Sequence, residues 1–117
     1  MKTSRRAEAL RLLGLAQRAG AVVAGLDSAR RSVRLGEARL VLKATDASRV
    51  QLSKIEGTLG DRSIPQEYLG DRAALGAAVG RGPVSAVAVT QASFADELTR
   101  RLGDPSLVSA SPDRLEE

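Results

Sequence analysis

The segment Ala21-Val22-Val23-Ala24-Gly25-Leu26-Asp27-Ser28-Ala29-Arg30-Arg31 decides how this chain is read. Small and β-branched apolar residues in an unbroken run suit a covered strand, so 21–24 is expected to be one. Gly25-Leu26-Asp27 reads as a turn. Either Asp27 or Ser28 then offers a side-chain oxygen to the free N–H groups of a new helix. That helix is expected over 28–35, with Gly36 where a terminating glycine belongs. A strand leading through a glycine turn into a helix is the repeating unit of an α/β domain.

The same punctuation continues in both directions. Upstream, Ser4 can cap a helix over 5–19, with Leu10, Leu13, Ala16 and Gln17 at helical spacing and Gly20 at its end. Downstream, Leu40-Val41-Leu42 is the clearest buried strand. Asp46 or Ser48 opens a polar helix to about Leu59, with Val50, Leu52 and Ile55 expected inward and Gly60 as its stop. Ile64-Pro65-Gln66-Glu67-Tyr68-Leu69 reads as a short edge strand, because proline cannot donate to a ladder. Asp71 caps an Ala-rich helix over 72–79; Gly76 within it and Gly80 just after it are spaced for close helix packing. Gly80-Arg81-Gly82-Pro83 is a tight loop, 84–89 a well-covered strand, and Ser93 the cap of a last helix to Leu102. The order α-β-α-β-α-β-α-β-α predicts a three-layer α-β-α sandwich around a central four-stranded mixed sheet. One domain is expected over 1–102. Residues 103–117, with Pro105, Pro112, three serines and Glu116-Glu117, read as a disordered acidic tail. In such sheets ligands gather where strand ends meet helix N-termini.

Composition narrows the chemistry. The chain has 117 residues, 43% of them hydrophobic, with one Phe, one Tyr and no Trp, which leaves little for stacking unpaired bases on aromatic rings. Without Cys there are no disulfides or thiolate metal sites, and without His the commonest general base is absent. No catalytic residues, cofactor or metal are therefore expected. The start, Met1 to Glu8, runs into an amphipathic helix rather than the apolar centre of a signal peptide, and no stretch is apolar enough to span a bilayer. The expected location is the cytoplasm, with no membrane partner. Charge is segregated: residues 1–49 hold eleven Lys and Arg against four acids, an excess of +7, whereas 50–117 hold seven against ten, −3. Folding gives no reason for such a division, and self-repulsion opposes it. A surface facing a polyanion does. Arg is the main cation, which favours bidentate contacts to phosphate and guanine.

Three segments are candidates for that surface. Gly25, Leu26, Asp27 and Ser28 lie at a helix start, where free N–H groups and the helix dipole favour phosphate. Arg31 follows one turn later on the same face, beside Arg30 and Arg34. Asp27 can accept from the N1 and N2 edge of guanine, and Arg31 can donate to O6 and N7. The second segment runs from Lys43 to Asp46 at the end of the buried strand, and the third is the loop Arg81-Gly82-Pro83-Val84. A plain strand-to-helix turn is the default reading of Asp46.

Four stretches in order resemble the kink-turn RNA-binding superfamily typified by archaeal ribosomal protein L-seven-Ae, and in particular its small bacterial YlxQ-like branch. They are Leu12-Leu13-Gly14-Leu15-Ala16-Gln17-Arg18-Ala19-Gly20, the 25–31 turn and helix, Arg39-Leu40-Val41-Leu42-Lys43-Ala44-Thr45-Asp46-Ala47-Ser48, and Leu75-Gly76-Ala77-Ala78-Val79-Gly80. The resemblance implies the sandwich fold and a partner in structured RNA, ribosomal or regulatory, within the ribosome or another ribonucleoprotein. It implies recognition of a kink-turn, a sharply bent helix–bulge–helix with tandem G·A pairs. Gly25 matches the family's glycine, Asp27 its Asn, Ser28 its Glu and Arg31 its Lys. The 81–84 loop matches the one packing on the flipped bulge nucleotide. Asp27 and Ser28 depart from the pattern: Asp27 keeps an acceptor without amide donors, and Ser28 puts a hydroxyl where the family has a carboxylate. Two other readings compete with RNA binding. One is a protein-interaction module using the acidic C-terminal half. The other is a carboxylate enzyme or phosphate receiver around Asp46, which would need more acids than Asp27 and Asp46 at the strand ends.

Overall fold

The computed structural model describes residues 4–102; the expected acidic tail lies outside them. The described residues alternate as α1 (Arg5–Arg18), β1 (Val22–Ala24), α2 (Leu26–Arg34), β2 (Leu40–Lys43), α3 (Arg49–Leu59), β3 (Gln66–Tyr68), α4 (Arg72–Ala78), β4 (Ala86–Val89) and α5 (Ala92–Leu102). The sheet order is β1-β4-β2-β3. β4 is antiparallel to both β1 and β2, and β2 is parallel to β3, so the sheet is mixed as expected. The two central strands, β2 and β4, are buried at every position, because helices cover both faces of the sheet. Alternation along them divides two cores. Leu40, Leu42, Val87 and Val89 meet Leu13, Leu75 and Leu98 under α1, α4 and α5. Val41, Ala86 and Ala88 meet Ala29, Val33, Ile55 and Leu59 under α2 and α3.

Pro65 precedes the edge strand and only accepts, its carbonyl taking the Val41 N–H at 3.0 Å, so its missing donor costs nothing. Side chains finish three helix starts. Ser4 accepts from Ala7, Ser48 and Gln51 form a reciprocal capping box, and Asp71 accepts from Ala74.

Several local expectations need correction. α2 begins at Leu26, with Gly25 as its N-cap at φ 105°, ψ 151° and no side-chain cap, so Asp27 and Ser28 stand inside the first turn. Glycine reaches this backbone region at no steric cost, and the helix starts two residues early. Of the two caps expected for α3, Asp46 and Ser48, it is Ser48 that serves. Val50 is exposed because the buried stripe of α3 runs through Ile55 and Leu59 with Leu52 half-buried, and Val50 falls outside it. Ser93 lies within α5 instead of capping it. Gly76 does not serve helix packing: a Cβ there would collide with the Gly82 carbonyl of the following loop. The close helix approach is at Gly14, where a Cβ would lie 3.1 Å from the Ala78 carbonyl oxygen.

Candidate nucleic-acid interface

The antiparallel insertion of β4 brings four loops to one end of the sheet. β1 and β2 finish there at Ala24 and Lys43, β3 at Tyr68, and β4 starts there at Ala86. The Gly25 N–H donates to the Ala86 carbonyl at 2.9 Å, which fixes the turn into α2 against the start of β4. Arg81 reaches across from the other side, its Nη1 donating to the Ala24 carbonyl at 3.0 Å. The 80–83 loop is thereby tied beside the start of α2. Gly76 allows this approach, because only a residue without Cβ leaves room for the Gly82 backbone.

The first intrahelical bond of α2 runs from Ala29 N–H to the Gly25 carbonyl at 2.9 Å. The N–H groups of Leu26, Asp27 and Ser28 precede it, and no hydrogen bond among the described residues uses them. They form an open, positively polarised helix end suited to an anion. Asp27, Ser28 and Arg31 are exposed. Ser28 and Arg31 line a shallow hollow of about 160 Å³ with Ser32, whose buried hydroxyl has no hydrogen-bond partner among the described residues. Gly82 and Pro83 are exposed in the neighbouring loop.

Other expected site residues are engaged elsewhere. Lys43 is buried on the α3 side of the sheet, where its Nζ meets Glu56 at 3.2 Å and Gln66 at 3.1 Å, and sits 4.6 Å from the Tyr68 ring centroid. Glu67 beside it on β3 is half-buried; burial pushes its carboxyl above the ordinary value, and the Lys43 charge partly offsets that. Asp46 accepts from the Arg72 N–H at 2.8 Å and lies 3.5 Å from its guanidinium, clamping the start of α4. Val84 is buried in the core under α1, α4 and α5. Leu26 is half-buried against the α2/α3 core. Arg30 and Arg34 face α3, where they line a groove with Lys54 and Arg62, two cations that sequence reasoning did not select. Their sequence signal was weak, because only the packing of α2 on α3 unites them. Among the described residues, no group of three or more acidic side chains could hold a metal ion. No helix of theirs is long and apolar enough to cross a membrane.

The fold and site define a small three-layer α-β-α domain whose open polar groups collect at the strand ends. Residues 7–99 match the Ribosomal protein L7Ae/L30e/S12e/Gadd45 family, and the chain belongs to it. The RNA-binding protein YlxQ of Bacillus subtilis (strain 168) is 38% identical over 87 residues, 74% of this chain and 87% of that protein. A solved structure described as a protein with unknown function from Bacillus halodurans C superposes with a TM-score of 0.77 at 30% identity, covering 83% of this chain and 98% of the other. The Giardia lamblia 15.5kD RNA binding protein superposes at 0.71 with 20% identity, covering 88% and 92%, and bears on the fold alone.

Proposed function

We propose that the chain is a non-catalytic, ribosomal-protein-like RNA-binding protein that recognises bent RNA, a kink-turn or a related motif with G·A pairs, through the start of α2 and the 80–83 loop. The observation that carries this is the open N-terminus of α2: three unused N–H groups with Arg31 one turn behind them. A backbone phosphate fits the amides of Leu26 to Ser28. Arg31 donates to guanine O6 and N7, and Asp27 accepts from the N1 and N2 edge. The exposed Gly82-Pro83 segment offers a flat apolar contact to a flipped nucleotide. Lys43, Asp46 and Val84 hold the scaffold and make no RNA contact in this reading. Membership of the family and 38% identity to a protein named as RNA-binding support it, as does the +7 charge of residues 1–49. A ribosomal or regulatory RNA within a cytoplasmic ribonucleoprotein is the partner that fits.

An electrophoretic shift series at physiological salt tests the reading with a kink-turn, the same RNA with its G·A pairs replaced by G·C, and a plain duplex. The kink-turn is expected to bind about tenfold or more tightly than the other two, and Arg31→Ala to remove that preference, since one bidentate base contact is worth about 1–3 kcal/mol. Arg6→Ala, at an exposed position of α1, is expected to weaken all three alike. Equal affinity of the wild type for the three RNAs would reduce the function to polyanion attraction.

A further inference from the structure

The groove between α2 and α3 gathers four cations and no carboxylate. Arg30 and Arg34, one turn apart on α2, face Lys54 on α3 and Arg62 just beyond it across a volume of about 490 Å³. Elsewhere several cations have a carboxylate: Lys43 has Glu56, Arg72 has Asp46, and Arg101 has Glu8 and Glu97. None of the four groove cations enters an ion pair among the described residues. Uncompensated like charges repel and weaken the fold that collects them. Helix dipoles account for Arg34 in the last turn of α2 and Arg62 after α3, but not for Lys54 in mid-helix.

Two of the four are also held in place without being neutralised. Arg30 Nε donates to the Thr58 hydroxyl at 2.9 Å, and Arg62 Nη1 donates to the Thr58 carbonyl. The Thr58 hydroxyl itself donates to the Lys54 carbonyl at 3.0 Å. Gly57 leaves the wall open, since a Cβ there would meet nothing within 4 Å. An oriented set of guanidiniums and an ammonium with no internal counter-charge is a receptor for repeated phosphates. It lies on the helix whose first turn carries the α2 site, and Arg34 is eight residues from Leu26, about 12 Å along the axis at 1.5 Å per residue.

We propose that the α2/α3 groove is a second phosphate-backbone site, taking the stem of the same RNA whose bent motif sits at the start of α2. This rests on the RNA-binding reading above and adds a separate surface to it. The test compares wild type with the triple variant Arg34→Gln, Lys54→Gln and Arg62→Gln, which keeps the Arg30–Thr58 bond. Two RNAs are used: a kink-turn with minimal stems, and the same motif with both stems lengthened. On the long RNA the variant is expected to lose about tenfold or more in affinity, and the slope of log affinity against log salt to become shallower by about 2–3, near 0.9 per lost phosphate contact. On the short RNA it stays within about twofold, because the groove is then empty. Unchanged affinity and slope on the long RNA would overturn the proposal and leave the groove to an acidic protein. Equal losses on both RNAs would overturn it as general charge attraction. If the triple variant folds poorly, Lys54→Glu alone, exposed on α3, carries the same comparison. Arg31→Ala is run beside it: no effect of that variant on the short RNA counts against the α2 reading, whatever the groove does.

Discussion

Helices α2 and α4 start at the same end of the sheet, yet their first turns are finished in opposite ways. α4 is closed twice: Asp71 accepts from the Ala74 N–H, and Asp46, from the loop after β2, accepts from the Arg72 N–H. Two carboxylates stand at its positive end, so no anion from outside is needed there. α2 starts from a glycine with no side chain to offer, and the N–H groups of Leu26, Asp27 and Ser28 stay unused. Both sequences present an Asp near a helix start. What separates them is two residues of register: Asp71 precedes its helix and caps it, while Asp27 lies within its helix and cannot. On the proposed reading, recognition at this end falls to α2, and α4 supports the adjoining loop.

The comparison can be broken most severely at Gly76. Gly76→Ala drives a Cβ into the Gly82 carbonyl and forces the 80–83 loop away from α2. The expected cost is about 3 kcal/mol, at the upper end for overpacking, measured by urea unfolding, with kink-turn affinity falling as the loop moves. A smaller change sharpens the α2 side. The double variant Asp27→Asn with Ser28→Glu restores the residue types the resemblance expects. It is expected to raise kink-turn affinity by about tenfold without tightening duplex binding, one bidentate contact being worth about 1–3 kcal/mol. Smaller again is Asp71→Ala, which removes a cap from α4 and is expected to cost about 1 kcal/mol of stability while leaving RNA affinity within error.

The smallest effect comes from Glu67 on the edge strand. Burial raises its folded-state pKa, so the folded protein holds this proton more tightly than the unfolded chain does. Its contribution favours folding below the ordinary glutamate range and is lost as pH rises through the window just above it. Glu67→Gln is therefore expected to raise Tm slightly at neutral pH and to leave it unchanged in acid, as followed by thermal melts at both.

The architecture was legible in the sequence because each junction carries its own punctuation. Ser4, Gly20, Gly36, Gly60 and Asp71 mark helix ends at the expected places. The apolar run at 40–42 and the alternation of Val with Ser and Ala over 84–89 marked the two central strands, found at 40–43 and 86–89. The site was less legible for two reasons. Capping preference drew the start of α2 inward to Asp27 or Ser28, since a sequence does not display the backbone angle that lets Gly25 open the helix. Lys43 and Asp46 stood as candidates for the RNA surface because their partners, Glu56, Gln66 and Arg72, are distant in sequence and meet them only through β3 and the two helices. The same non-local packing hid Lys54 and Arg62, which become neighbours of Arg30 and Arg34 only when α3 lies on α2.

Backbone amide shifts, followed by NMR while kink-turn RNA is added, report on both helix starts in one experiment. If the open end of α2 takes the RNA, the amides of Leu26, Asp27 and Ser28 move with saturation, and those of Arg72 and Ala74, already occupied by Asp46 and Asp71, stay in place. Shifts confined to α4, or none at α2 when the RNA is bound, would contradict the assignment of recognition to α2.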